Sequence, residues 1–142
     1  MGKVELDIIL EKLAALQGYY KELKELEHIS FEEYARNSLY KRTVERLIQL
    51  IVEAGTDINN MLLKSLHKGP TADYYSSFIE LAEAGVLPME FALNIAPSTG
   101  LRNVIIHEYQ KIDDRKVYDS IKNTLKYYLQ YMKLINDYLN QL

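Results

Sequence analysis

The chain has 142 residues, with 17 basic side chains against 20 acidic ones and a formal net charge of −3 at pH 7. Hydrophobic residues make up 48% and charged residues 26%, ordinary globular proportions that exclude wholesale disorder and predict one domain over residues 1–142. The absence of cysteine excludes a disulfide framework, a thiol nucleophile and a thiolate metal site, and the scattered His28, His67 and His107 do not suggest a zinc cluster, so no metal and no cofactor are expected.

The N-terminus lacks the apolar stretch of a signal peptide, and Leu6 stands where a myristoylation signal wants Ser or Thr. Apolar residues at Leu6, Ile9, Leu13, Leu16, Tyr20 and Leu23 alternate steps of three and four, which predicts a helix to about Glu27. Ser30-Phe31-Glu32-Glu33 reads as a capping box. The helix it opens carries Tyr40, Val44, Leu47, Ile51, Ala54, Ile58 and Met61 on one stripe, ends near Lys68-Gly69-Pro70 with Gly69 as cap, and is long enough to bend near Gly55. Asp73 or Thr71 caps a short helix ending at Gly85, and Pro88 starts another. Pro97 breaks or kinks that one before a helical stretch from Leu101 to about Lys111. Asp113-Asp114 caps the last helix, with Val117, Ile121, Leu125, Tyr128, Met132, Ile135 and Leu139 on its stripe. All three prolines lie between Pro70 and Pro97, so the flanking segments are free to form long helices. No segment alternates with period two. The fold class is therefore all-α, a bundle of four or five helices. The longest uncharged run, Phe91 to Leu101, falls short of the roughly 20 residues of a membrane span, and a soluble cytoplasmic protein is expected.

The charge is segregated. Between Arg36 and Arg46 there are four basic residues and one acidic, so the acidic balance does not exclude a nucleic-acid partner. One polar cluster interrupts the apolar pattern: Arg102-Asn103-Val104-Ile105-Ile106-His107-Glu108-Tyr109. On a continuous helix Arg102 and Tyr109 share a face, while Asn103 and His107 share another about 140° away. Two copies across a two-fold axis would gather both faces around one cleft, which makes a dimer attractive. These residue types suit phosphodiester chemistry on RNA. Histidine exchanges a proton with the 2′-hydroxyl or the leaving oxygen, arginine stabilises charge on the phosphate, asparagine orients, and the RNA supplies its own nucleophile. The plainer reading is structural: Arg102 paired with an acid such as Glu53 or Asp57, and His107 a satisfied core residue. Glu53 and Asp57, four apart on an apolar helix, are candidate partners of Arg102 or His107, or else a solvated edge.

The string Arg102-Asn103-x-x-x-His107-x-Tyr109 resembles the Arg-x4-His-x-Tyr signature of HepT toxins, within the HEPN superfamily of RNases. Glu45-Arg46, Glu53-Ala54-Gly55-Thr56-Asp57, Ser77-Phe78-Ile79-Glu80-Leu81-Ala82 and Gly85-Val86-Leu87 fit the family's layout in the expected order. The resemblance implies a HEPN-like bundle, with two long helices and a kinked helix bearing the motif. It implies a toxin of a toxin–antitoxin pair, a metal-independent endoribonuclease on RNA with tRNA as the expected class. Arg102 and His107 would be the catalytic pair in a composite homodimer cleft, and Asn103 would assist. Tyr109 would be the residue that an MntA-like nucleotidyltransferase antitoxin modifies with AMP. Pro97 departs from the smooth helix expected of relatives and bears on the mouth of the cleft. The competing reading is a non-catalytic helical dimer that binds a nucleotidyltransferase or a nucleotide.

Overall fold

The computed structural model describes residues 1–142, and every regular element in it is helical. The elements are α1 (Lys3–Glu25), α2 (Phe31–Arg36), α3 (Ser38–Ser65), α4 (Tyr74–Glu83), α5 (Met89–Ile95), α6 (Ser98–His107) and α7 (Asp114–Asn140), with a 3-10 turn at Tyr109–Lys111 between the last two. Three helices are long, α1, α3 and α7, and they pack on one another around a single cluster of 30 buried hydrophobic residues. The expected stripes face inward: Ile9, Leu13, Leu16 and Leu23 of α1, Val44, Leu47, Ile51, Ala54 and Ile58 of α3, and Val117, Ile121, Leu125, Tyr128, Met132 and Ile135 of α7 are buried. No helix is long and apolar enough to cross a membrane.

The boundaries differ from the sequence expectation in several places, each with a local cause. Ser30 does cap a helix, accepting from Glu33 N at 3.2 Å, but that helix lasts only six residues. Asn37 then takes an extended backbone and its Oδ1 accepts from Tyr40 N at 3.1 Å, so a second cap restarts the chain as α3. α3 ends at Ser65 rather than at Gly69, because His67 adopts φ 61 and supplies the left-handed residue. Its N–H and that of Lys68 bond back to Lys64 O and Leu63 O, closing the end as a glycine would. Gly85, with φ 87, closes α4 in the same way, as its position suggests. Gly55 does not interrupt α3; a Cβ there would stand 3.0 Å from Tyr128 Cε1, so the glycine admits the tyrosine ring. Pro97 does break the chain between α5, which ends at Ile95, and α6, but α6 starts directly after it at Ser98 rather than at Leu101.

A buried polar chain ties three helices together. Tyr131 Oη donates to Asn59 Oδ1 at 2.6 Å and lies 3.0 Å from Gly55 O; Asn59 Nδ2 donates to Ser77 Oγ at 3.0 Å; Ser77 Oγ donates to Tyr74 O at 2.7 Å. The chain links α7 through α3 to the first residue of α4, and Tyr74 is the residue that α6 meets.

Candidate active site

α6 lies against α3 with the two chains antiparallel, since Arg102 meets Glu53 while Tyr109, just beyond α6, meets Arg42. The side of α3 that faces it carries Arg42, Arg46, Gln49 and Glu53, which fall within roughly a 60° arc at 100° per residue.

Arg102 is the fixed group. Its Nε and Nη2 donate to Glu53 Oε2 at 3.0 and 2.6 Å, and its Nη1 donates to Asn103 Oδ1 at 3.3 Å. The guanidinium carbon stacks 4.6 Å over the Tyr74 ring, and the side chain retains only 13% exposure. Gln49 Nε2 donates to the same Glu53 oxygen at 3.3 Å and steadies the carboxylate. The five N–H donors of arginine are thus partly used, with one N–H on each terminal nitrogen left over. Those two can meet a phosphate end-on while Glu53 holds the group from behind.

His107 is the free group. It ends α6, is exposed, and has no side-chain hydrogen bond or ion pair. The structural reading of the motif therefore holds for Arg102, which does pair with Glu53, and fails for His107, which is no core histidine. Asp57 is a correction. Its carboxylate pairs with Lys12 at 3.2 Å across α1, and both are about half exposed, so it supports neither motif residue. Asn103 is exposed beside Arg102.

Tyr109 is the second correction. The expected superposition on Arg102 requires a helix to Lys111, but Glu108 leaves the helical region at φ −127, ψ 43, and a 3-10 turn follows. The chain must reverse there to bring Asp113 to the start of α7, where its Oδ1 accepts from Arg115 N and Lys116 N. Tyr109 is 56% exposed, and its ring packs 5.2 Å from the Arg42 guanidinium.

Arg42 is itself anchored. Its Nη1 donates to Glu45 Oε1 at 2.7 Å, and Glu45 is 4% exposed. Glu45 Oε2 and Tyr34 Oη are buried without hydrogen-bond partners. Burial raises the Glu45 carboxyl from its ordinary value, the Arg42 charge opposing it, and burial together with Glu45 raises the Tyr34 phenol. A carboxyl whose folded pKa is raised favours folding when protonated, so its contribution falls as pH rises from the unfolded value toward the folded one. Glu45→Gln keeps an acceptor for Arg42 and removes that dependence. It should therefore stabilise the protein near neutral pH, by an amount that shrinks as the pH drops into the ordinary carboxylate range. Thermal midpoints of both proteins across pH 4 to 8 check this; a difference that grows toward acid would contradict it.

Sequence reasoning missed Gln49 and Tyr74, which immobilise Arg102, and Arg42, which meets Tyr109. The signal for Arg42 and Gln49 was present as polar residues at 42, 46, 49 and 53 on one helix face. Nothing in the sequence pointed to Tyr74.

The ribonuclease HepT-like family model matches residues 16–135 of this chain. The tRNA nuclease HepT of Aphanizomenon flos-aquae is 39% identical over 139 residues, covering 98% of this chain and 95% of that protein. The chain belongs to the ribonuclease HepT-like family. A more distant relative, the mRNA nuclease HepT of Shewanella oneidensis, is 23% identical over 129 residues, covering 91% of this chain and 96% of that one. The fold agrees: the tri-AMPylated Shewanella oneidensis HEPN toxin, solved in complex with MNT antitoxin, superposes with a TM-score of 0.83 at 23% identity, over 92% of this chain and 98% of that chain. The HepT-like bundle places Arg102, Asn103 and His107 on one short helix, while Tyr109 lies in the turn beyond it.

Proposed function

We propose that this HepT-like chain is the toxin of a toxin–antitoxin pair, an endoribonuclease that cuts RNA, with tRNA the first class to try, and that nucleotidyl transfer to Tyr109 silences it. The observation that carries the reading is the division of labour on α6. Arg102 is locked by Glu53 with two N–H groups to spare, and five residues on His107 is exposed and uncommitted. Family membership and the HepT nucleases among its relatives support RNA as the substrate class.

In this reading the imidazole of His107 takes the proton of a ribose 2′-hydroxyl. The 2′-oxygen attacks the adjacent phosphorus and the bond to the 5′-oxygen breaks. The imidazolium so formed, or water, protonates that oxygen, which releases a 5′-hydroxyl end and leaves a 2′,3′-cyclic phosphate. Arg102 stabilises the charge that builds on the phosphate, and Asn103 binds or orients beside it. The nucleophile belongs to the RNA, so the reaction as drawn asks for no metal. About 140° separates Arg102 from His107 around α6, so a homodimer that sets two α6 helices around one cleft would join the fixed arginine of one protomer to the free histidine of its partner.

Tyr109 lies two residues beyond His107, with its ring on Arg42. In the silencing reaction its phenol oxygen attacks the α-phosphorus of ATP, pyrophosphate leaves, and the phenol proton passes to solvent or the transferase. The new phosphodiester adds negative charge and a nucleotide's volume at the His107 end of the helix, where RNA must approach. Incubation with the MntA-like nucleotidyltransferase and ATP should add mass in steps of AMP on Tyr109, abolish RNA cleavage, and leave Tyr109→Phe unmodified and active. No adduct, or one on another tyrosine such as Tyr118, would overturn this mode of control.

A further inference from the structure

The α3 stripe has one member with no partner. Glu53 and Gln49 are committed to Arg102, and Arg42 is committed to Glu45 and the Tyr109 ring. Arg46, between them, is exposed and takes part in no hydrogen bond, ion pair or ring contact. Its place along α3 is bracketed from both sides. Glu53 meets Arg102 at one end of the antiparallel pair and Arg42 meets Tyr109 at the other, so Arg46 lies between those two contacts along α3, exposed at the edge of the seam with α6.

From this bracketing we propose that Arg46 is an RNA-binding residue, holding a backbone phosphate of the substrate at the seam between α3 and the motif-bearing α6. The inference rests on the RNase reading above and extends it from the scissile phosphate to a neighbouring one. The chemistry fits. An uncommitted guanidinium offers its full planar fork to phosphate oxygens, as a tethered one does not. The exposed carboxylate closest in sequence to the motif, Glu108, is drawn toward Lys111 at 3.8 Å, and Glu45, next to Arg46, is buried against Arg42. On α3 the neighbours of Arg46 on this face, Arg42 and Gln49, carry no negative charge. Arg102 and Arg46 would then have separate tasks: the tethered, half-buried one stabilises charge at the reacting phosphorus, and the exposed one grips the strand.

The test measures binding of labelled unfractionated tRNA to the full-length protein in a His107→Ala background, as a function of salt. Arg46→Gln should weaken binding roughly tenfold at low salt. It should also flatten the plot of log affinity against log salt by about 0.7 to 0.9, the loss of one phosphate contact. Arg46→Lys should keep the slope, and the charge-matched Lys133→Gln on α7 should change neither quantity. With His107 intact, Arg46→Gln should raise KM and leave kcat and the AMP adduct on Tyr109 near wild type. An unchanged slope with an unchanged thermal midpoint would overturn the proposal. So would an equal loss in Lys133→Gln, or weakened association with the nucleotidyltransferase while RNA binding is untouched. If the wild-type chain binds tRNA with the Arg46-dependent slope but cuts nothing, the proposed activity falls and the contact stands.

Discussion

His107→Ala is expected to lower the rate of RNA cleavage by a factor of roughly 10² to 10⁴, the range for loss of a general acid–base group. The variant should keep the wild-type thermal midpoint, because the side chain is exposed and holds no partner in the fold. Arg102→Ala should lose activity to a similar degree but for two reasons at once. It removes the cation at the phosphate, and it leaves the Glu53 carboxylate, 26% exposed, without the guanidinium that holds it. The second effect should cost about 1–3 kcal/mol of stability. Activity assays and melting curves on the two variants together separate a free catalytic group from a built-in one. A His107→Ala protein that cuts RNA at the wild-type rate would remove the histidine from the mechanism.

The largest effect on stability is expected deep in the bundle. Asn59 is fully buried and joins Tyr131 on one side to Ser77 on the other, at 2.6 and 3.0 Å. Asn59→Ala deletes both bonds and opens a small void between α3, α4 and α7. A loss of about 2–3 kcal/mol should follow, lowering the melting midpoint by on the order of 10 °C. Ser77 anchors the carbonyl of Tyr74, and Tyr74 carries the ring beneath Arg102. The same substitution should therefore slow cleavage at temperatures well below the new midpoint, though less than loss of His107 does. A variant that melts like wild type would show that this polar chain contributes nothing to the fold.

What the sequence made legible follows from the range of the forces involved. The stripes of α1, α3 and α7 could be read because each helix buries one face, and burial imposes a 3.6-residue period on the residues themselves. Caps that depend on local hydrogen bonds, at Ser30, Asp73, Asp113 and Gly85, were equally visible. The misread boundaries depended on competition. Asn37 outweighs continuation of the helix begun at Ser30, and His67 takes a left-handed conformation that sequence assigns more readily to Gly69. At the site, the motif and the acid that pairs with Arg102 were in view, but Glu53 and Asp57 looked equivalent. Only packing distinguishes them, because Asp57 faces α1 and Lys12 whereas Glu53 faces α6. Tyr109 was placed by helical arithmetic past the point where the chain turns, and so was assigned to the wrong arginine.

The central claim is that the 2′-hydroxyl of the RNA is the nucleophile and that this chain contributes a proton-exchanging His107 and a phosphate-facing Arg102. The most direct measurement is the chemistry of the cut ends, made with unmodified protein and RNA in the presence of EDTA. The account predicts cleavage that persists in chelator, with 5′-hydroxyl ends and 2′,3′-cyclic phosphates on the products. Ends bearing a 5′-phosphate and a 3′-hydroxyl, or activity that vanishes in EDTA and returns with added metal, would contradict it.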